Sequence, residues 1–347
     1  MKVLVTGSGG LIGSEVCNYF DSLKYKIIGI DNNQRKSFFG SSGSVSWKIK
    51  FLKERLLNYT HYNVDIRDKE NIFKIFKKYK PDAIVHCAAQ PSHDLASKMV
   101  FEDFEVNSVG TLNILHCIHK IVPKSPIVFL STNKVYGDNP NKLPIKELSK
   151  RWDFKGDNFK KGIDEKLSID HCTHSFFGAS KLSADMYVQE YGNYFDINSC
   201  CLRGGCLTGP SHSGVELHGF LSYIIKANLK KIPYSIFGYK GKQVRDNIHS
   251  LDVCKFIEIF LENPKKAQVY NLGGGYENSC SILEVMELIE NKTKIKFRYK
   301  HNIQNRVGDH MCYYSNLSKI KKDYPKWKIT VPLNEIIDQI IHGWSSR

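Results

Sequence analysis

Over the first 130 residues the apolar positions switch repeatedly between two periods. "KVLVTG" is a short valine-rich run closed by glycine, and "SEVCNYFDSL" after it carries apolar residues at helical spacing. "YKIIGID" is a second apolar strand, "ENIFKIFKKY" is amphipathic, and "PDAIVHCAA" is a strand behind a proline. "VGTLNILHCIHKIV" returns to the helical period, and "SPIVFLSTNKVYG" is a strand running into a loop. Repeated strand–helix units build a parallel sheet covered by helices on both faces. The predicted fold class is therefore α/β, a doubly wound parallel sheet with a smaller C-terminal lobe.

The second half is more interrupted. "NKLPIKELSKRWDFKGDNFKKGIDEKLSIDHCTHS" is long, charged and poor in periodicity, and reads as a lid or substrate-side insertion over about 138–172. A long helix, "GASKLSADMYVQEYGNYF", follows, then "INSCCLRGG" as strand and "GVELHGFLSYIIKANLKKI" as helix. "QVYNLGGG" is a strand, and "SILEVMELIEN" and "VPLNEIIDQIIHGW" are helices. The expected division is a nucleotide-binding lobe over 1–200 and a mainly substrate-binding lobe over 201–347, with some segments crossing between them.

Composition narrows the class. A chain of 347 residues can bury one large core or two smaller ones. The net charge of +15 comes mostly from lysines scattered through pieces such as "KIFKKYK" and "LSKIKKDY", which reads as a solvated surface. No nucleic-acid partner is expected. The same field could draw in a doubly charged phosphorylated substrate. No apolar run reaches about eighteen residues, so no membrane partner is expected. "MKVLVTGSGG" lacks the apolar stretch and cleavage site of a signal peptide, and the ten cysteines show no framework spacing. The expected setting is cytoplasmic, with reduced thiols.

Chemistry begins at "VLVTGSGGLIG". Gly7, Gly10 and Gly13 lie between a strand and a helix, where glycine permits a tight turn, backbone approach to a pyrophosphate, and close strand–helix packing. The anion would rest on the helix N-terminus beside Leu11 and Ile12. Asp31, followed by Asn32, closes the second strand; its carboxylate suits a ribose 2′-hydroxyl and repels a 2′-phosphate, so the expected cofactor is NAD. Asp65, followed by Ile66, comes after a third short strand and could meet the adenine amino group. Ala88 and Ala89, followed by Gln90, are small enough to let the cofactor pass, and Asn107 lies in "NSVGT". The sheet is thus expected to be of Rossmann type.

With "TGSGGLIG", "DIRD", "HCAAQ", "NSVGTLNIL", "STNKVYGD", "GASK", "GKQVRDNIH", "YNLGGG" and "RVGDH" in place, nearly the whole chain resembles the extended short-chain dehydrogenase/reductase family of nucleotide-sugar epimerases and dehydratases. "STNKVYGD", "GKQVRDNIHSLDV" and "FFGSSGSVSW" are most similar to its CDP-tyvelose (CDP-paratose) 2-epimerase branch. The resemblance implies an NAD-dependent epimerase acting on a nucleotide-diphosphate sugar through a transient keto-sugar. It implies that Thr132 bonds the reacting sugar oxygen and that Lys181 binds the nicotinamide ribose. It also implies that Arg245 and Arg306 hold the diphosphate, with Asp309 on the nucleoside side. His93, Lys134, Phe177, Arg203 and His212 complete the expected substrate side, and a homodimer through a four-helix bundle is the expected assembly.

The sequence departs from the family at "HSFFGASK". A tyrosine is expected four residues before Lys181, on the same helix face; this chain has Phe177. Phenylalanine keeps the ring and loses the acid–base atom. Three readings stay open: an epimerase with a substitute base (His174, Cys172, Tyr136 or Lys134), a related enzyme with other chemistry on a nucleotide sugar (4-epimerase, dehydratase or decarboxylase-like), or a non-catalytic NAD and nucleotide-sugar binder. Asn133 and Lys134 replace the Asp-Glu pair that 4,6-dehydration requires by family resemblance. His212 and His218 lack a third ligand, so no metal is expected.

Overall fold

The computed structural model describes residues 1–216, 218–306 and 308–346. Seven strands make one sheet: β1 (Lys2–Thr6), β2 (Lys26–Ile30), β3 (Tyr59–Tyr62), β4 (Ala83–His86), β5 (Ile127–Thr132), β6 (Ser199–Gly204) and β7 (Gln268–Leu272). They lie in the order β7-β6-β5-β4-β1-β2-β3. β1 runs parallel to both β2 and β4, and the β2/β3 and β4/β5 pairs are parallel too. Strand order reverses between β1 and β4, which opens a crevice at their carboxyl ends where α/β sheets bind ligands. This is the doubly wound, Rossmann-type α/β sheet that the pattern predicts.

Val3, Leu4 and Val5 are fully buried, as an apolar run between two helical layers must be. Leu4, Ile28, Ile84 and Phe129 pack with Ile114 and Leu115 of the helix Gly110–Ile121 and with Ala184 and Val188 of the helix Ser175–Phe195. The chain divides into two compact units. The first comprises Met1–Thr132, Phe176–Arg203 and Val253–Tyr270; the second comprises Asn133–Ser175, Gly204–Asp252 and Asn271–Arg347.

The second unit has its own core, in which Leu221, Ile224, Ile236, Val285, Ile336 and Ile340 pack together. Strand Val244–His249 lies between Cys206–Thr208 and Ser279–Ser281. Helix Ile282–Thr293 starts on a capping box in which Ser281 and Glu284 satisfy each other's backbone N–H. Asp252 accepts from Thr330 N, Thr330 Oγ1 and Val331 N, which anchors the approach to the last helix.

Some elements differ from the pattern. The helix expected from "GVELHGF" begins only at Phe220, because Val215 and His218 exchange backbone hydrogen bonds and turn the chain first. The charged segment before residue 175 is partly ordered: Ile145–Glu147 pairs antiparallel with Trp152–Phe154, and Phe154 and Ile163 are buried. Isolated apolar residues among charges hide that alternation. Helices Ser46–Arg55, Val100–Phe104 and Ser250–Glu262 carry no expectation above; the first two are short.

Candidate functional site

The glycine loop is shaped for backbone approach. Gly7 has φ +66°, and a Cβ there would lie 2.8 Å from Ala88 N. A Cβ on Gly13 would run into Gly7 O, so helix and strand touch only because neither residue has a side chain. Gly10 N donates to Gly7 O at 2.9 Å, and helix Leu11–Ser22 starts at Gly10 without a side-chain cap. Uncapped first-turn N–H groups, here those around Leu11 and Ile12, are the kind of donors that can receive an anion.

Asp31 ends β2. Its Oδ2 accepts from Gly9 N (2.8 Å) and its Oδ1 from Asn33 N (2.7 Å), so the acid is tied to the loop it serves. Burial raises its carboxyl, and those two N–H bonds pull the other way. Asn32 Nδ2 donates to Asp65 Oδ2 at 3.1 Å. Burial alone would raise Asp65, but the Arg67 bonds outweigh it and hold the carboxyl below its ordinary value. Ile66 is buried and packs against Gly110. A cradle that a Cβ would fill, an uncapped helix start and an acid at the end of β2 fit a dinucleotide.

Behind β4 lies a buried polar network. Gln90 N donates to Asn107 Oδ1 (2.9 Å), and Asn107 Nδ2 donates to Ser180 Oγ (3.0 Å) and Asp103 Oδ1 (3.2 Å). Ser180 Oγ donates to Asp103 Oδ2 at 2.5 Å. Asn107 sits in one turn of π-helix, Glu105–Val109, which is how its side chain reaches back to the segment carrying Ala88, Ala89 and Gln90.

Lys181 follows Ser180 on helix Ser175–Phe195. Its Nζ donates to Leu130 O at 2.7 Å and lies 4.0 Å from the Phe129 ring centroid. Burial lowers it to about 8, against the opposing pull of Asp185 first and then Cys201, Cys87 and Asp103. Thr132 ends β5, and Phe177 is buried on the helix one turn before Lys181. Arg203, expected on the substrate side, is buried in the first unit, where its Nε and Nη2 donate to Asp185 at 3.2 and 3.0 Å. His93 Nδ1 lies 3.3 Å from Asp94 Oδ1, and its Nε2 is buried without a partner.

In the second unit Asp309 Oδ1 accepts from Lys134 Nζ (3.1 Å) and from Arg245 Nη2 (2.6 Å). Two cations on one carboxylate leave a net positive cluster. Burial lowers Lys134, with Arg245 acting the same way and Asp309 opposing. Arg245 also donates to His310 O at 2.7 Å, so its fork is fixed. Arg306 stacks over the Phe237 ring at 4.3 Å.

Among the candidate bases, Tyr136 is fully buried and its hydroxyl donates to Asn271 Oδ1 at 2.8 Å. His174 Nε2 lies 3.5 Å from Cys172 Sγ, so these two candidates form a pair. The rings of His212 and His218 stand 5.5 Å apart, and among the described residues no group of His, Cys, Asp or Glu gathers as a metal site.

Sequence reading missed Asp185, Asp103, Arg67 and Glu102. Asp185 and Arg67 carried a local signal: the first lies four residues after Lys181 on the same helix face, the second two residues after its partner Asp65. Asp103 meets Ser180, and Glu102 meets Gln34, far along the chain.

The model of the family described as "NAD dependent epimerase/dehydratase family" matches residues 3–273. CDP-paratose 2-epimerase of Salmonella typhi is 30% identical over 100% of this chain and 99% of its own length. dTDP-glucose 4,6-dehydratase of Salmonella typhimurium is 26% identical over 94% of this chain and 88% of its own. Among solved structures, a tyrosine-to-phenylalanine variant of UDP-glucuronic acid 4-epimerase from Bacillus cereus has a TM-score of 0.82 at 23% identity. That alignment covers 100% of this chain and 99% of that one, and the likeness shows the fold. With the crevice, the glycine cradle and a full-length relative in agreement, the chain belongs to the NAD-dependent epimerase/dehydratase family of nucleotide-sugar enzymes, and its cofactor is NAD.

Proposed function

We propose that the protein is an NAD-dependent epimerase of a nucleotide-diphosphate sugar, similar to CDP-paratose (CDP-tyvelose) 2-epimerase, working through a transient keto-sugar. The observation that carries this reading is the end-to-end likeness to CDP-paratose 2-epimerase, with the cofactor loop and Lys181 both retained. Bound NAD supplies the acceptor and donor of the hydride.

The chain's own residues do the rest in this reading. Gly7, Gly10, Leu11, Ile12 and Gly13 take the pyrophosphate, and Asp31 with Asn32 takes the ribose. Asp65 and Ile66 lie on the adenine side. Ala88, Ala89, Gln90 and Asn107 form the wall behind the cofactor. Thr132 bonds the reacting oxygen and Lys181 orients the nicotinamide ribose. The positive Lys134–Asp309–Arg245 cluster, with Arg306, attracts the diphosphate; a fixed guanidinium fork suits paired phosphate oxygens. Phe177 packs without moving a proton. His174, paired with Cys172 three residues before the helix position that lacks its phenol, is the substitute base. The buried hydroxyl of Tyr136, bonded to Asn271, favours a structural part for that residue.

The test is a panel of CDP- and UDP-linked hexoses incubated with the protein in heavy water, with products read by NMR. Hydride shuttling leaves the carbon-bound hydrogen unexchanged. Deuterium at the inverted carbon would overturn the mechanism. A second reading, a binder without turnover, is favoured by Phe177 itself; tight binding of one nucleotide sugar with no product would establish it.

The expected homodimer finds support in apolar side chains left exposed on two helices of the first unit: Phe101 and Phe104 on one, Met186, Tyr187 and Tyr194 on the other. A monomeric mass by light scattering at micromolar concentration would exclude it. Among the described residues no helix is long and apolar enough to cross a membrane.

A further inference from the structure

Two segments, one following β2 and one following β3, line a pocket in the first unit. The pocket is about 570 Å³ and is lined by the Asn32–Gln34 turn, Lys36, Ser37, Asp65 and Arg67. A closed ring of contacts runs through it. Asn32 Nδ2 donates to Asp65 Oδ2 (3.1 Å), and Asp65 accepts Arg67 Nε (3.0 Å) and Nη2 (2.8 Å). Arg67 Nη1 reaches Glu105 Oε2 (3.4 Å) and stands 4.0 Å from Glu102 Oε1. Gln34 Nε2 donates to that same Glu102 oxygen at 2.7 Å, and Gln34 N donates back to Asn32 Oδ1 at 3.1 Å.

Four of the five ring residues line the pocket; the fifth, Glu102, lies on the helix Val100–Phe104 and joins the β2 and β3 sides through one oxygen. Arg67 is 29% exposed and Glu102 38%, so these are weak contacts that open and reclose readily. Asp65 and Arg67 hold each other whether or not Glu102 is present. The ring can therefore open at Glu102 while the pocket wall stays in place.

We infer that Gln34, Arg67 and Glu102 form a clasp over the adenosine end of the NAD site, and that the clasp sets how fast the cofactor leaves. The inference rests on the assignment of Asp31 and Asp65 to the adenosine half. It fits a reaction in which the hydride returns to the same substrate, since such an enzyme gains nothing by exchanging its cofactor.

The experiment loads the full-length protein with radiolabelled NAD, chases with unlabelled NAD, and follows release by filtration. Glu102→Ala should release label on the order of fivefold faster, which corresponds to about 1 kcal/mol. Gln34→Ala should shift release in the same direction. The double variant should match Glu102→Ala, because both contacts end on one oxygen. Release within twofold of wild type in both single variants overturns the clasp, as does a double variant in which the two factors multiply. Gln34→Ala, a truncation near the surface, carries the test should Glu102→Ala fail to fold. Wild-type protein that retains no label overturns the cofactor reading and the clasp together; wild type that retains label with unchanged variants overturns the clasp alone.

Discussion

Asp185 has no exposed surface and accepts from Arg203 through Nε and Nη2, from Ser131 Oγ at 2.5 Å, and from Gln189 Nε2 at 2.7 Å. Asp185→Asn keeps the shape and removes the charge. The Arg203 guanidinium, 6% exposed, then stays in the core without its carboxylate. Breaking one side of a buried pair costs about 3–5 kcal/mol. At roughly 2 °C per kcal/mol for a chain of this size, the melting temperature should fall by roughly 6–10 °C. Urea denaturation and scanning fluorimetry read both quantities. Replacing the pair together, as Asp185→Leu with Arg203→Met, should recover most of the loss, because two apolar residues leave no buried charge. The variant has a second effect: Asp185 is the strongest influence holding the proton on Lys181, so its loss should move Lys181 below about 8. A loss of stability under about 1 kcal/mol, the range of an exposed pair, would refute the claim that the Asp185–Arg203 contact is a buried ion pair.

Asp31→Ala should weaken NAD binding by roughly 10- to 100-fold, the worth of charged hydrogen bonds to a ribose, and an unchanged Kd by calorimetry would refute the ribose assignment. Lys181→Met should stabilise the cofactor-free protein by up to about 3 kcal/mol below pH 8, since burying a charged amine costs stability there. Folding sheds the Lys181 proton between about 8 and the ordinary lysine value, so wild type gains stability as pH rises through that window and the gap should close; a gap independent of pH in denaturant titrations would contradict it. His174→Ala should lower kcat by about 10²-fold or more with little change in KM, and an unchanged kcat removes it as the base.

The doubly wound sheet was legible because β1, β2, β4 and β5 are largely apolar runs, as both faces of a parallel sheet require, and because glycine and aspartate punctuate β1 and β2. The glycine loop and Asp31 were legible for the same local reason. The clasp was not: Gln34, Arg67 and Glu102 are separated by 33 and 35 residues, and no periodicity links them. The Asp103–Ser180–Asn107 network depends on a π-turn that the pattern "FEVNSVG" does not announce. The arginines expected on the substrate side stand in recognisable stretches of sequence, but Arg203 and Arg245 look alike there and differ in company. One is committed to a buried aspartate, the other shares Asp309 with Lys134 and keeps a net positive charge.

Phe177 shows the same limit from the other side. The missing phenol is plain in "HSFFGASK"; what it means depends on Lys181, whose proton affinity is set by burial and by Asp185, neither visible in the motif. A lysine held near 8 beside an absent phenol is still poised to lower the pKa of any hydroxyl placed next to it. Phe177→Tyr would put that hydroxyl one helical turn away. If the chain is an epimerase working with a substitute base, the variant should raise kcat by about 10²-fold or more, the usual worth of a well-placed acid–base group. It should also cancel most of the loss caused by His174→Ala, because the two groups would then do the same work. A Phe177→Tyr variant whose kcat and pH profile match wild type would mean that the proton leaves by a route Lys181 does not influence.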